Sequence, residues 1–356
     1  MALLTCALGP DCAGTVVTEL LEGADTSIDC AMYEVGAAYR WLFPRAAQRG
    51  VRVRLLLDAH PGDGNRATVA SVVRGGGACR LMARRRDGGR GHWKLAVVDG
   101  ETVAVGTGNL IWRDLPRDLH HRLPPDAPPL AGTREWWAVL SGAPMLAGEA
   151  LAHLERAWLS SHPVPEAWLE AAAATPPPVG RPVPEVPPLQ LEVDPGRVSL
   201  QVGGADIAST LLRLIEGARE RALVTVPYLG AATEVSELLK ALATSRRRGV
   251  DARLLLGRPP RGGAAQTQAI PVAAMDSSRS TSGHVKGAVV DGTVLLGSAN
   301  WSAAGLRSAW EAALVMDEPA AAGYFGAAFL RDWQAALMLR DPAVSRRAGR
   351  GMLAVS

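Results

Sequence analysis

Lysine and asparagine are scarce in this chain, which uses arginine for almost every positive charge. Of its 38 basic residues only three are lysines. The lysines are Lys94, Lys240 and Lys286, and the three asparagines are Asn65, Asn109 and Asn300. Arginine does not replace lysine where a compact ammonium group must reach one oxygen of an anion. The few lysines that remain are therefore candidates for a specific task, which a role as general surface charge does not explain.

Long apolar runs and a basic N-terminal segment are also missing. No stretch approaches the roughly 18 uncharged apolar residues of a membrane-spanning helix. Acidic residues (Asp11, Glu19 and Glu22) come early in place of the basic start of a signal peptide, so we expect a cytoplasmic protein without a transmembrane segment. The four cysteines lie in the first quarter of the chain without the spacing of a zinc site, and we expect free thiols.

The net charge is only +3, which lacks the basic excess or basic stripe that is common in nucleic-acid-binding domains. The nearest approach to such a stripe is the cluster of Arg84, Arg85, Arg86 and Arg90. This cluster suits a solvated loop and a contact with an anionic substrate about equally well.

Two short segments of the chain repeat one pattern. Residues 91–99 read GHWKLAVVD and residues 106–109 read GTGN, while residues 283–291 read GHVKGAVVD and residues 297–300 read GSAN. The residues that recur are His92, Lys94, Asp99 and Asn109 in the first copy, and His284, Lys286, Asp291 and Asn300 in the second. A histidine with a lysine two residues later is suited to attack and hold a phosphate. Two such pairs predict one composite site.

The similarity between the two halves extends beyond these segments. Glu-Gly-Ala precedes an apolar run at residues 22–24 and again at residues 216–218. After each copy of the pattern a glutamate, Glu135 or Glu311, begins another apolar run. Self-similarity over about 150 residues indicates a duplicated domain, because solenoid repeats are only about 20–50 residues long.

The chain is predicted to divide at a proline-rich segment, residues 173–196, which we interpret as a linker because proline disfavours helices and central strands. The linker separates an N-terminal domain, 1–172, from a C-terminal domain, 197–342, and residues 343–356 are predicted to be a disordered tail. In each domain short apolar strands alternate with helices. This order predicts an α/β sandwich, that is, a mixed β-sheet flanked by helices.

Each copy of the pattern is predicted to form a β-hairpin. Asp99-Gly100 and Asp291-Gly292 are tight-turn signals between runs that favour strands. Residues i and i+2 of a strand share a face, so the histidine and the lysine of each copy are expected to point the same way.

These residues resemble the signature of the phospholipase D superfamily, His-x-Lys-x4-Asp followed by Gly-Ser-x-Asn, and the resemblance covers nearly the whole chain. Thr107 stands at the Ser position, which preserves a small hydroxyl group. The resemblance implies two tandem α/β domains related by a pseudo-twofold axis, with one shared active site at their interface. Because both patterns are in one chain, it implies a monomer. The family includes phospholipases, cardiolipin synthases, phosphatidylserine synthases and nucleases, and its chemistry needs no metal and no cofactor.

The implied chemistry is cleavage of a phosphodiester through a phosphohistidine. One histidine attacks phosphorus and the other protonates the leaving alkoxide. The resemblance assigns the first role to His92 and the second to His284. The lysines and asparagines of the two patterns would hold the non-bridging oxygens of the phosphate.

Two pairs of acidic residues are further candidates for this site. Glu311 is placed like the family carboxylate that orients a catalytic histidine, and Glu135 would do the same for His92. Asp99 and Asp291 belong either to the catalytic set or to the turns alone, because Asp-Gly is preferred in such turns whatever the function.

Three functions are compatible with these residues. The first is an enzyme that hydrolyses or exchanges phospholipid head groups in peripheral contact with a membrane, the second is a nuclease, and the third is a scaffold that binds a phosphate-bearing partner. The intact histidines disfavour the scaffold. The mild charge favours a lipid over a nucleic acid, whereas the strand at residues 28–33 resembles those of small nuclease-like members. Hydrolysis and transfer both remain open.

Overall fold

The computed structural model describes residues 1–60, 63–82, 89–116, 132–171, 186–258, 267, 269–275 and 282–338. Within these ranges the chain forms two β-sheets flanked by helices. The first sheet is built mainly from the first half of the chain and the second sheet from the second half.

The first half alternates strands and helices. Its strands are β1 (Ala2–Gly9), β2 (Ser27–Met32), β3 (Arg52–Asp58), β4 (Ala78–Met82), β5 (Lys94–Val98), β6 (Thr102–Gly106), β7 (Thr133–Ser141), β8 (His162–Pro163) and β9 (Leu189–Val193). Its helices are α1 (Ala13–Glu22), α2 (Leu42–Gln48), α3 (Asp63–Arg74), α4 (Pro144–Ser160) and α5 (Glu166–Leu169). The central strands β5 and β6 are buried along their whole length, as expected for a sheet covered by helices on both faces.

The second half repeats this order. Its strands are β10 (Val198–Val202), β11 (Arg221–Val226), β12 (Asp251–Leu256), β13 (Val272–Ala274), β14 (Ser282–Gly283), β15 (Gly287–Val290), β16 (Thr293–Gly297) and β17 (Ala312–Asp317). Its helices are α6 (Gly204–Gly217), α7 (Thr233–Arg247) and α8 (Pro319–Met338), with a short 3-10 turn at Pro195–Arg197 and a π-helical turn at Ala304–Ser308.

The two sheets have the same strand order. The first sheet contains the order β4-β3-β2-β5-β6-β7-β1, and the second contains β13-β12-β11-β15-β16-β17-β10. In each of these seven-strand orders three adjacent strands at one side are parallel and the remaining neighbours are antiparallel. The prediction of two tandem α/β domains with mixed sheets is confirmed.

Side-chain contacts repeat as well. Arg49 donates to the carbonyl oxygens of Glu22 and Ala24, and Arg248 makes the two equivalent bonds in the second half. Each arginine follows a helix and closes the loop that precedes a parallel strand. The duplication therefore includes the loops and their hydrogen bonds, and not only the strand order.

Both copies of the pattern form hairpins. β5 pairs with β6, and β15 pairs with β16, in each case antiparallel. The backbone φ angle is 54° at Asp99 and 50° at Asp291. Asp is one of the few residues other than glycine that tolerate this left-handed conformation, which explains its place at both turns.

The structure describes only the C-terminal part of the proline-rich segment, and that part includes a strand. Residues 172–185 lie outside the described residues, whereas Leu189–Val193 form β9, an edge strand antiparallel to β1. Part of the predicted linker is therefore a strand, because Leu189, Leu191 and Val193 alternate with polar residues after the last proline of the run. The predicted tail, 343–356, lies outside the described residues.

The two halves share one apolar core. The ring of Trp136 in β7 lies 4.8 Å from that of Phe325 in α8, centroid to centroid. Gly287 provides room for this contact, because a Cβ atom at that position would lie 2.7 Å from the Trp136 ring. Beside it, buried Arg134 binds Asp332 of α8 at 2.9 Å and Asp11 of the first half at 2.6 Å. Apolar packing and a buried ionic network thus hold the halves together.

Candidate active site

Each histidine of the repeated pattern lies where the chain crosses to the other half. The backbone N–H of His92 donates to the carbonyl of Trp310 at 3.0 Å, and that of His284 donates to the carbonyl of Arg134 at 3.1 Å. The strand just before His284, β14, is parallel to β7 of the first half. The two halves therefore exchange short segments at the two histidines.

Each imidazole is bound by a buried glutamate from the other half. His92 Nδ1 lies 3.0 Å from Glu311 Oε1, and His284 Nδ1 lies 2.6 Å from Glu135 Oε1. The prediction that Glu135 orients His92 is wrong, because Glu135 follows the residue that binds the backbone of His284. Burial alone would raise the pKa of Glu135, but nearby His284 and Lys286 and a hydrogen bond lower it overall.

A hydroxyl group fixes each of these glutamates. Thr107 Oγ1 donates to Glu135 Oε2 at 2.5 Å, and Ser298 Oγ donates to Glu311 Oε2. Each hydroxyl oxygen also accepts the backbone N–H of the residue after the glutamate. The small hydroxyl residue of each pattern, to which the sequence analysis gave no role, therefore orients the carboxylate that orients a histidine.

The two lysines of the pattern place their ammonium groups at the histidines. Lys94 Nζ donates to the carbonyl of His92 at 2.8 Å. Lys286 Nζ donates to the carbonyls of His284 at 2.6 Å and Thr107 at 2.9 Å. Burial and, to a smaller extent, repulsion from Lys286 lower the pKa of Lys94 to about 7. Burial lowers the pKa of Lys286 to about 8, although nearby carboxylates oppose the change.

The two imidazole rings differ at Nε2. Burial lowers the pKa of His92 to about 4 despite the opposing charge of Glu311. A neutral ring that donates its Nδ1–H to Glu311 carries its lone pair on Nε2, and no side chain in the described ranges binds that nitrogen. By contrast, His284 Nε2 lies 2.9 Å from Lys286 Nζ. His92 thus presents an open nitrogen, and His284 presents one in contact with an amine.

Asn109 is fixed by an acidic residue that the sequence analysis missed. Asp114 Oδ2 accepts the backbone N–H and the side-chain Nδ2–H of Asn109, each at 2.9 Å. Asp114 is buried and lies five residues after Asn109. The same position in the second half is Gly305, so comparison of the two halves gave no signal.

One group of ligand-type side chains within the described ranges has the spacing of a metal site. The ligand atoms of Asp114, Glu135 and His284 all lie within 4.8 Å of one another. Lys286 Nζ lies only 3.0 Å from His284 Nδ1, and this same nitrogen faces Glu135. Because the Lys286 amine already lies against the ring and interacts electrostatically with both carboxylates, we assign the group to the hydrogen-bonded site and not to a metal.

The sequence matches a family model described as the phospholipase D-like domain of cardiolipin synthase, over residues 17–121 and 211–333. These two segments, one in each half, make up more than half of the chain. The chain belongs to the phospholipase D superfamily. No curated protein sequence matches it significantly.

Several solved structures are similar to this chain at low sequence identity, and the two with TM-scores above 0.5 share its fold. The phosphatidylserine synthase of Haemophilus influenzae is 14% identical with a TM-score of 0.63, and the match covers 92% of this chain and 86% of that one. The polyphosphate kinase of Porphyromonas gingivalis is 14% identical with a TM-score of 0.59, over 95% of this chain and 50% of that one. Nuc of Salmonella typhimurium, a phospholipase D family member, is 21% identical with a TM-score of 0.39, over 46% of this chain and 99% of that one.

The structure does not bring the two aspartates of the superfamily signature to the histidines. The carboxylate of Asp99 accepts backbone N–H groups of residues 25–27, and that of Asp291 accepts those of residues 219–221. A strand rise of about 3.3 Å per residue puts each of them roughly 16 Å from its lysine. Burial alone would raise the pKa of both carboxyls, but the backbone hydrogen bonds lower it. This placement favours the structural alternative.

Other sequence-based expectations concern the surface and the thiols. Arg84, Arg85 and Arg86 lie outside the described residues. The four cysteines are free thiols, and they are Cys6, Cys12, Cys30 and Cys79. In the described parts of the chain, no helix combines the length and the apolar character that a membrane crossing requires.

Proposed function

We propose that this protein is a phospholipase D-type phosphodiesterase, which hydrolyses or transfers the head group of a phospholipid through a phosphohistidine. The observation that carries the proposal is the crossed pairing, in which each histidine is bound through Nδ1 by a buried glutamate of the other half. Such a carboxylate fixes the tautomer and orientation of an imidazole and leaves Nε2 for chemistry. Two imidazole rings oriented in this way act as the nucleophile and the proton carrier in the cleavage of one phosphodiester bond.

His92 is the nucleophile in this proposal. Its Nε2 is open among the described residues, and its depressed pKa, about 4, keeps the ring neutral at physiological pH. Nε2 attacks phosphorus in line with the leaving oxygen, and the imidazolium that forms on attack is stabilised by Glu311.

His284 is the proton carrier. Glu135 lies 2.6 Å from its Nδ1 and orients the ring, so that Nε2 is left for the proton transfer of a general acid. His284 gives its Nε2 proton to the leaving alkoxide. In the second step it takes a proton from the water or alcohol that attacks the phosphohistidine.

The two lysines hold the phosphate in this proposal. Their lowered pKa values, about 7 for Lys94 and about 8 for Lys286, indicate that burial disfavours the two ammonium groups, which is a cost in free energy. A phosphodiester anion removes that cost, because each non-bridging oxygen interacts with a buried positive charge. The same charges stabilise the extra negative charge of the transition state without a cofactor.

Two observations favour a phospholipid over a nucleic acid. The net charge is +3, which gives few cations for the many phosphate contacts of a polyanion. The matching family model carries the name of cardiolipin synthase, an enzyme named for a phospholipid. We propose that the protein meets its substrate at a membrane surface. A monomer suffices because one chain supplies both histidines, and the free thiols suit the cytoplasm.

The test offers the purified protein both substrate classes under the same conditions. Vesicles of phosphatidylcholine or phosphatidylglycerol and labelled single- and double-stranded DNA and RNA are incubated at about 0.15 M salt with excess EDTA. The His92→Ala protein, prepared in the same way, is the control for contaminating enzymes.

We expect release of head group from vesicles, formation of phosphatidylethanol when ethanol is added, and neither product with the control. Cleavage of nucleic acid with no head-group release would replace the lipid substrate by a nucleic acid. Loss of all activity in EDTA, restored by a divalent ion, would contradict the metal-independent mechanism.

A further inference from the structure

The side-chain amide of Asn109 has one defined orientation. The carboxylate of Asp114 only accepts hydrogen bonds, and its Oδ2 already accepts the backbone N–H of Asn109 at 2.9 Å. The amide group that faces the same oxygen, also at 2.9 Å, must therefore be the donor Nδ2. Asn109 Oδ1 is consequently turned away from Asp114.

This oxygen is a buried acceptor without a donor. Asn109 is 6% exposed, and its Oδ1 has no hydrogen-bond partner in the part of the chain that the structure describes. Buried amide oxygens are nearly always paired in folded proteins, so an unpaired one next to a reaction centre indicates a donor supplied from outside the protein.

Asp114 connects Asn109 to the His284 side of the site. A carboxylate oxygen of Asp114 lies within 4.8 Å of the His284 ring nitrogen and of Glu135. Thr107, two residues before Asn109, binds Lys286 through its carbonyl oxygen at 2.9 Å. The unpaired acceptor therefore belongs to the side of the site where, in the proposed mechanism, the leaving group departs and the second nucleophile enters.

The second half has no counterpart to this arrangement. Gly305 occupies the position of Asp114, and a Cβ atom there would lie 2.2 Å from the backbone oxygen of Asn300. Asn300 Oδ1 also lacks a partner among the described residues, but no carboxylate in those ranges fixes its amide. Only the amide on the His284 side has a set orientation.

We propose that Asn109 Oδ1 accepts a hydrogen bond from the molecule that attacks the phosphohistidine, and that Asp114 is the positioning residue that aims it. This inference rests on the proposed function. Water carries two hydrogens, of which one faces His284 Nε2 and the other faces Asn109 Oδ1. A diol can satisfy both acceptors, whereas a simple alcohol has a single hydroxyl hydrogen. The site thus prefers water and diols to monohydric alcohols.

The step balances without a further reactant. The oxygen of water forms a bond to phosphorus while the bond between phosphorus and His92 Nε2 breaks, and the bonding electrons return to that nitrogen. His284 Nε2 receives one proton of the water. The hydrogen bonded to Asn109 Oδ1 stays on the oxygen and leaves with the phosphate product.

The test measures how the phosphohistidine partitions between acceptors. Bis(p-nitrophenyl) phosphate is turned over in water that contains equal concentrations of ethanol and ethylene glycol, and the three products are quantified in each mixture. The wild type is compared with Asp114→Ala, with Asp114→Asn, whose amide oxygen can still accept both N–H groups, and with Asp194→Ala as a distant acidic control. A product ratio does not depend on the amount of folded protein, so a folding defect cannot imitate the effect.

Ethylene glycol has two hydroxyl groups and ethanol has one, which alone gives a statistical preference of about two. We expect the wild type to prefer ethylene glycol by more than this factor. We expect Asp114→Ala to shift the water-to-ethanol ratio about tenfold toward ethanol, the effect of one hydrogen bond in the transition state. Asp114→Asn and Asp194→Ala should keep the wild-type ratio. An unchanged ratio in Asp114→Ala, or no glycol preference in the wild type, would overturn the inference. A wild type without any nitrophenol release would instead contradict the proposed function.

Discussion

The His92 side and the His284 side of the site share one frame but differ in detail. On both sides a buried glutamate of the opposite half binds Nδ1 of the histidine. The side of His92 leaves Nε2 open among the described residues, whereas Lys286 lies 2.9 Å from Nε2 of His284. Asp114 adds a second carboxylate on the His284 side only. The repeat thus gives two equivalent histidine rings, and the side chains around them make their environments unequal.

The contacts that join the halves show the same divergence. Before one glutamate stands Arg134, which binds Asp332 and Asp11 in a buried ionic network. Before the other stands Trp310, whose ring lies edge-on to Trp93 at 5.3 Å. In both cases the backbone of that residue binds a histidine of the other half. The main-chain geometry is therefore the same in the two halves, whereas the side-chain contacts are ionic at Arg134 and aromatic at Trp310.

The largest expected loss of rate comes from replacing either histidine, and the choice of leaving group distinguishes the roles of the two histidines. His92→Ala should lower the rate of head-group release by at least about 10³, and so should His284→Ala, because the two groups act as a unit. The leaving group of a p-nitrophenyl ester needs no proton. For the first turnover of such an ester, His284→Ala should therefore lower the rate of nitrophenol release only about tenfold. Rapid-mixing measurements of nitrophenol release give both values. Near-half activity in either variant would point to two independent sites and break the comparison.

The crossed glutamates give the next largest effect. Glu311→Gln should slow the formation of the phosphohistidine, and Glu135→Gln should slow its breakdown, each by about 10², because each carboxylate stabilises one imidazolium. Single-turnover and steady-state kinetics separate the two steps. Thr107→Val and Ser298→Ala remove only the hydroxyl that binds each glutamate. Thr107→Val should slow the breakdown of the phosphohistidine and Ser298→Ala its formation, each by less than the corresponding glutamate variant. If Glu135→Gln slowed the first step and Glu311→Gln the second, the crossed pairing would not describe the working enzyme.

The lysines predict how anion binding depends on pH. The pKa values of Lys94 and Lys286 are lowered to about 7 and about 8, and a bound anion raises them because it favours the charged form. Both lysines are therefore charged below about pH 6.5, and affinity for an anion is lost as pH rises through 7 and 8. Inhibition by diethyl phosphate, which keeps one charge throughout, should weaken about tenfold between about pH 6 and pH 9.

The third lysine of the chain provides the control for this measurement. Lys240 is exposed on α7, so Lys240→Met should leave the pH dependence of the inhibition unchanged. Lys94→Met should weaken inhibition at low pH and flatten the profile. A flat profile for the wild type would show that the buried amines do not bind the phosphate.

The smallest expected effect on catalysis comes from the aspartates at the turn of each hairpin, far from the histidines. Asp99→Ala and Asp291→Ala remove acceptors for several backbone N–H groups at the turn, far from the histidines. Each should lower the free energy of unfolding by about 1–3 kcal/mol, the cost of backbone groups left without a partner. The turnover number should stay within about twofold when folded protein is counted by active-site titration. A large loss of turnover in fully folded protein would favour the catalytic alternative for these aspartates.

The sequence was sufficient for the repeat, the hairpins and most of the site. The tight-turn signals of the hairpins are local and were correct. The expectation that His92 and Lys94 share a strand face was not met as stated, because β5 begins at Lys94 and β15 begins only at Gly287, so that both histidines precede their strands. The pairing of Glu135 was not predictable in this way. It depends on which half the segment before each histidine crosses to, and that is a contact between residues far apart in the chain.

Two other features were hidden for related reasons. Asp114 was missed because the repeat was used as the guide, and the repeat has Gly305 at that position. Strand β9 was missed because the prolines before it dominated the interpretation of the segment, although Leu189–Val193 alternates as an edge strand does. Comparison of the two halves finds what duplication retained and overlooks what one half acquired alone.

The most direct test of the unequal site is to locate the phosphoryl group in the covalent intermediate. A p-nitrophenyl phosphodiester is mixed with the wild-type protein, the reaction is stopped with alkali within one turnover, and the digested peptides are analysed by mass spectrometry. We predict one phosphoryl adduct per chain, on the peptide that contains His92, and an adduct that persists longer in His284→Ala. An adduct on His284, or equal labelling of both histidines, would contradict the account.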